Sequence, residues 1–457
     1  MKRLPLLFFS MGLVSCAPLP PLVTDPPEEA LFSSASVSSS SSAIWIESSS
    51  AADSVAFVPI APAPVEENAA EATLATSDDK DIPPMALPEN LKRDFRVGIL
   101  VGKSSAEISG KNYTVATTAD SSQGKLQSGT IKLSAKGVRV QCLNDKSDSV
   151  WIFPADENRL SVGGKEYRGK MLAVNVSGKL NIINVLPVED YLKGVVPHEI
   201  GKLDESMFEA LKVQAVAART YAYRHYNSRA SLGFDVYATV QDQVYNGSEG
   251  ESPLPSAAID STRGIVLSHD GNFIEAYYHS TCGGHTEGVE VWGLAPVTYL
   301  KSQSDMKSED TAWCAASSYT AWKKVFNEKE LVSLFHKNFK EARASGKSEF
   351  KGIQQLEIKS KFPGGRIDEL EVLTDKGLFT VKGDRVRWLF KEGSKILPSA
   401  QFDISKNGKV WVLDGSGFGH GIGMCQMGAR ARAKAGQSFK EILEAYYPGA
   451  TLQCIEK

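Results

Sequence analysis

From Arg96 onward, apolar and polar residues alternate in short runs. Val97-Gly98-Ile99-Leu100-Val101 and Ile131-Lys132-Leu133 are examples, broken by Gly, Ser, Asn and Asp as strands joined by turns are. Met171 to Val176 and Leu180 to Val185 alternate on either side of Ser177-Gly178, which predicts a hairpin with a tight turn. The period then changes. Phe208, Leu211, Ala215, Ala218 and Ala222 share one helical face, and Ser206 with Glu209 has capping-box spacing, so a helix is predicted over 207–227. Its alanines imply close packing. Further strands are predicted over 273–279, 356–358, 368–373 and 409–413. Two helices finish the chain, one over 425–435 stopped by Gly436 and one opened by Ser438 with Glu441. The expected fold class is α+β, a largely antiparallel sheet with a few packed helices, without any fixed-period repeat.

Ahead of Arg96 the patterning is absent. The chain opens with Lys2 and Arg3, a short apolar run, and Leu13-Val14-Ser15-Cys16, the form of a secretory signal. The run is too short to remain as a spanning helix. Small residues before a cysteine, with no A-x-A-like cleavage site nearby, favour a lipoprotein signal over 1–15 and lipidation of Cys16. The rival is an ordinary cleaved signal. Residues 16–90 are rich in Ser, Ala and Pro, including the run Ser38 to Ser42, and hold too little apolar area to offset ordering entropy. This segment carries twelve acids against Lys80. Removing its −11 and the +2 of Lys2 and Arg3 from the total of −3 leaves +6 for the remainder. An acidic, disordered tether should therefore hold a mildly basic folded part to a membrane, exported from the cytoplasm. That part divides into a β-rich portion over 91–170 and a second portion over 171–457. So small an excess of positive charge does not suggest a nucleic-acid partner.

Several chemical motifs fail on inspection. His198-Glu199 starts like a zinc-protease HExxH, but Lys202 stands at the fifth position. What remains is a carboxyl after Val195-Val196-Pro197, where burial would raise its pKa and keep it protonated. A lone Glu after a strand is ordinarily a surface or helix-entry residue. Gly415 to Gly423 fits no dinucleotide register, and Gly164 to Lys170 lacks the Ser or Thr that a phosphate loop needs, since Met171 follows. Alternating glycines instead permit close backbone approach, to a strand or to a ligand, and display His420. His279, Cys282 and His285 recur at three-residue intervals with Cys314 downstream, enough for a tetrahedral zinc site. A Cys282–Cys314 disulfide, or a metal-free site using His279, fits the same residues.

Taken in order, five segments resemble one family. They are Leu186-Pro187-Val188-Glu189-Asp190-Tyr191-Leu192-Lys193-Gly194-Val195-Val196-Pro197-His198-Glu199, Leu211 to Tyr221, Tyr278 to Glu287, Gly419-His420-Gly421-Ile422-Gly423-Met424, and Tyr446-Tyr447-Pro448-Gly449. The family is that of stage II sporulation protein D (SpoIID/LytB), and the likeness spans nearly all of residues 94–457. Its members with an assigned activity are lytic transglycosylases of peptidoglycan that prefer peptide-stripped strands, and some are described as amidase enhancers. The resemblance implies Glu199 as the catalytic residue. It implies Gln214, Arg219, Gln243, Ser280, His420 and Gln426 as cleft residues, peptidoglycan strands as substrate, and a cell-wall amidase as an alternative partner. Zinc is known in some members. Two departures stand out: Ile200 where methionine is usual, and Cys425 where serine is usual. The activity implied is cleavage of the bond between N-acetylmuramic acid and N-acetylglucosamine to give 1,6-anhydro ends, with one glutamate as acid and then base. The alternative is a non-catalytic glycan-binding amidase enhancer. Sporulation itself is not implied.

Overall fold

The alternating runs after Arg96 become one 11-stranded sheet in the computed structural model, which describes residues 82–455. Its long members are Phe95–Lys103, Ser105–Ala116, Lys125–Lys136, Lys170–Val176 and Lys179–Leu186, each antiparallel to its long neighbours. The predicted hairpin closes with Val176 opposite Lys179, and Ser177 and Gly178 both take left-handed φ, 51° and 79°. That is the backbone a two-residue turn needs to match strand twist. Cys16 and its flanking signal lie outside the described residues. Residues 84–90, placed in the tether by the sequence, are built into the fold: Pro84–Met85 pairs in parallel with the closing strand Thr451–Ile455, and Met85 and Leu87 pack on a cluster around Val266. So short an apolar segment leaves no periodicity to read.

Three helices follow the hairpin: α1 (Val188–Lys193), α2 (Val196–Ile200) and α3 (Phe208–Arg224). Every residue of α3 from Ala210 to Ala222 is buried, so the predicted single apolar face extends all round, as in a core helix. The alanines let neighbouring elements approach from every side. Its predicted capping box does not form. Asp204 accepts from the Ser206 amide at 3.0 Å and starts a 3-10 turn, while Glu209 accepts from the Phe439 amide at 2.6 Å and pairs with Lys212. A long-range partner has displaced the local one. Helix α4 (Pro253–Ser261) precedes an unpredicted strand, Ile265–His269. The strand predicted over 273–279 is instead two, Asn272–Phe273 and Tyr278–His279, in different sheets. Between them Ala276 and Tyr277 donate to the carbonyls of Ile274 and Glu275, two-residue turns that bend the chain.

Residues between Trp322 and Gly415 build a second core around Phe326, Phe335, Phe379 and Phe390. It holds one sheet of three strands, another of four, and helices α5 (Glu328–Asn338) and α6 (Val386–Leu389). This subdivision of 171–457 was not evident in the sequence. The chain then returns to the first core through Met424–Cys425, which pairs in parallel with Tyr278–His279. Helices α7 (Gln426–Lys434) and α8 (Phe439–Tyr446) finish it, the second opened by the predicted Ser438/Glu441 capping box. Among the described residues no helix is long and apolar enough to cross a membrane.

Candidate active site

Glu199 sits on the single turn of α2, which has Pro197 as its second residue and which Gly201, at φ 83°, stops. The carboxyl is half-buried. Its Oε1 accepts from the Val244 amide at 2.7 Å, and the Tyr278 hydroxyl donates to it as well. Both partners are neutral. Burial pushes the carboxyl up to about 7 although both hydrogen bonds pull it down.

A directional chain sets the Tyr278 hydroxyl. Tyr191 on α1 donates to Gln243 Oε1 at 3.1 Å, so the Gln243 amide nitrogen faces Tyr278 and donates to its oxygen, also at 3.1 Å. The Tyr278 proton is then left for Glu199. Gln243 was expected in the cleft, whereas Tyr191 and Tyr278 lie within the family segments but carried no expected role.

The other expected residues divide. His420 accepts at Nδ1 from the Ile422 amide and donates from Nε2 to the Tyr278 carbonyl, both at 3.1 Å, which holds the Tyr278 backbone in place. Burial lowers it to about 4, so it is neutral near pH 7. His279 is buried beside it with ring centroids 5.5 Å apart, and Nδ1 faces the Ile422 carbonyl at 3.1 Å. Its Nε2 has no partner among the described residues. Gln426 donates to Gln214 Oε1 at 3.1 Å, and Gln214 Nε2 is likewise buried and unpartnered. Ser280 contacts Thr281, and its carbonyl accepts from the Met427 amide.

Arg219 is not in a cleft. It is wholly buried, forms a two-point pair with Glu189 at 2.8 Å for each contact, and donates to the Ile259 and Ile265 carbonyls. It joins α1, α3, α4 and the strand after α4. Nor do the four residues expected to hold zinc come together. Cys282 and Cys314 meet, with sulfurs 3.6 Å apart, but the third member is Cys425. The His279 ring is turned to the Ile422 carbonyl, and His285 lies in a short strand paired with Gln303–Ser304. The alternating glycines serve the chain itself: a Cβ on Gly423 would lie 2.2 Å from the Tyr277 carbonyl, and one on Gly421 2.1 Å from the buried Arg366 guanidinium. That guanidinium, unnoticed in the sequence, donates to the Cys282 and His285 carbonyls, and its backbone amide donates to Glu287.

The fold and site therefore define an α+β protein with a proton-holding carboxyl on a single helical turn, oriented by neutral donors. A model of the stage II sporulation protein family matches residues 176–269, and one described as a domain of unknown function (DUF8618) matches residues 307–423, over much of the second core. An uncharacterized protein of Brachyspira hyodysenteriae is 34% identical over 300 residues, covering 65% of this chain and 74% of that protein. Stage II sporulation protein D of Bacillus subtilis is 32% identical over 283 residues, 58% of this chain and 74% of that protein. The amidase enhancer of Bacillus subtilis is 30% identical over 363 residues, 70% of this chain but 49% of its own length. The chain belongs to the stage II sporulation protein D family.

Proposed function

We propose that this chain, whose family is tied to the bacterial cell wall, is a lytic transglycosylase that cleaves peptidoglycan glycan strands, with Glu199 as acid and then base. The observation that carries the reading is a half-buried carboxyl raised to about 7 with no cationic partner among the described residues. Such a group is protonated often enough near neutral pH to act as acid, and its conjugate is basic enough to recover the proton. In the reaction, Glu199 protonates the oxygen between N-acetylmuramic acid and N-acetylglucosamine, and that bond breaks. The muramyl C6 hydroxyl then bonds to C1 while Glu199 takes its proton, so a 1,6-anhydro ring forms and no water is consumed. The intramolecular hydroxyl gains from high effective molarity. The Tyr278 hydroxyl and the Val244 amide steady the carboxylate between its two roles. Both histidines beside Tyr278 are neutral and position rather than protonate. The zinc expected from the sequence takes no part in these steps.

The likeness to an amidase enhancer supports a second reading, a glycan-binding protein that stimulates a cell-wall amidase. Export and anchoring through Cys16 suit either. Mass spectrometry of products from peptide-free glycan separates them. The transglycosylase gives anhydro-muramyl ends that Glu199→Gln abolishes. Binding without strand shortening, or undiminished release by the variant, sinks the assignment.

A further inference from the structure

We propose that Cys282, Cys314 and Cys425, with the Asp305 carboxylate as fourth donor, form a site for a thiophilic divalent cation of the zinc class. Four segments, three of them between Cys282 and Cys314 and the fourth at Cys425, deliver these atoms. Cys282 precedes the Gly283-Gly284 bend, Asp305 lies between two short strands, Cys314 follows the strand Thr311–Ala312, and Cys425 is the N-cap of α7. All three sulfurs lie within 4.8 Å of one another and are buried. Cys282 is 3.6 Å from Cys314 and 3.2 Å from Asp305 Oδ2. Tetrahedral metal–sulfur bonds of ~2.3 Å place their ligand atoms about 3.8 Å apart, so the three sulfurs need only small shifts to face one ion, and Asp305, which touches the cluster at Cys282, must turn further to join them.

The surroundings are built for thiolates. The Gly284 amide points at Cys282 Sγ at 3.3 Å, and the Cys282 and Gly428 amides point at Cys425 Sγ at 3.2 and 3.4 Å. The Gly283 and Gly284 amides reach Cys314. Positive φ at both glycines, 77° and 99°, turns these amides inward. Asp305 is aimed by Arg432 at 3.0 Å and by the Tyr446 hydroxyl at 3.0 and 3.1 Å, the outer support typical of metal-bound carboxylates. Amide donors reach all three sulfurs, whereas a disulfide would employ two and strand the third. Soft sulfur selects zinc-like ions over calcium or magnesium, and four protein donors close the site to substrate. On binding, the thiol protons leave to solvent. The cation would fasten the Tyr278–His279 strand to Met424–Cys425, and so brace the wall bearing Tyr278. The inference stands whether or not Glu199 is catalytic.

The test uses the full chain purified without chelator. Elemental analysis should find about one zinc per chain, and X-ray absorption at the zinc edge a shell dominated by sulfur with one lighter donor. Titration of the stripped protein with cobalt(II) should give sulfur-to-cobalt charge transfer and tetrahedral visible bands. Cys425→Ser should weaken cobalt by more than the ~100-fold that loss of an outer-sphere partner costs, and diminish the charge transfer, while near-ultraviolet circular dichroism reports its folding. His279→Ala should leave cobalt affinity unchanged. A metal-free protein whose alkylated peptides show a Cys282–Cys314 disulfide overturns the proposal. So does unchanged cobalt affinity in Cys425→Ser, or its loss in His279→Ala.

Discussion

Glu189 and Glu199 lie on consecutive helices and are both largely withdrawn from water, yet their surroundings differ in kind. Around Glu189 the protein supplies a fully buried guanidinium, two-point geometry at 2.8 Å, and carbonyls for the remaining N–H groups of Arg219. Around Glu199 it supplies one amide and one hydroxyl, and no cation. A carboxylate with a matched cation is an anchor. One that is desolvated without a cation holds its proton near neutrality and can exchange it. Burial alone does not mark a catalytic acid; the charge of what is buried beside it does.

The sharpest way to break this contrast is to neutralise each partner in turn. Glu199→Gln should lower turnover of peptide-free glycan by about 10²–10⁴-fold while the fold persists, the range for loss of a general acid. Arg219→Met should do the opposite. It leaves Glu189 buried without its cation and two carbonyls unpaired, so urea unfolding should show a loss of about 3–5 kcal/mol. Activity per folded molecule should stay near the parent's. Unchanged stability with collapsed turnover would return Arg219 to a cleft.

The two centres were unequally legible in the sequence. The residues around Glu199 left it an ordinary surface or helix-entry carboxyl until the resemblance singled it out, whereas the α+β class followed from alternation and capping. What makes Glu199 special comes from Val244, Gln243 and Tyr278, whose approach is fixed only by packing. Arg219 was expected in a cleft only because the resemblance implied it; its partner is Glu189, within the very motif that names the family. Cys425 was visible only as a departure from the usual serine. That it completes a cluster with Cys282 and Cys314 depends on the parallel pairing of Tyr278–His279 with Met424–Cys425, which no local pattern announces.

Stability against pH tests the proton-holding half of the contrast. The Glu199 carboxyl rises from 4.5 to about 7 on folding, so the fold favours its protonated form. That contribution is fully present below pH 4.5 and is lost as pH rises through 7. Glutamine never ionises. Glu199→Gln should therefore exceed the parent by about 1–3 kcal/mol at pH 8, and the gap should close toward pH 4, read from urea midpoints. Equal stability at pH 8 would mean that water solvates the carboxylate after all.

The smallest expected effect is the most specific. Tyr278 donates to the Glu199 carboxylate and so pulls its pKa down against burial. Tyr278→Phe removes that donor but leaves the ring, and the Gln243 amide keeps its contact with the Ala218 carbonyl at 3.4 Å. With one stabiliser of the charged form gone, Glu199 should hold its proton to higher pH. The alkaline limb of the kcat/KM profile should then move up by about 0.5–1 unit, the equivalent of one hydrogen bond of ~1 kcal/mol. A limb that stays in place while kcat falls would show that Tyr278 meets the sugar rather than the carboxyl. A limb that moves down would mean that the hydroxyl accepts from the neutral acid instead, and that the order Tyr191, Gln243, Tyr278, Glu199 runs in the reverse direction.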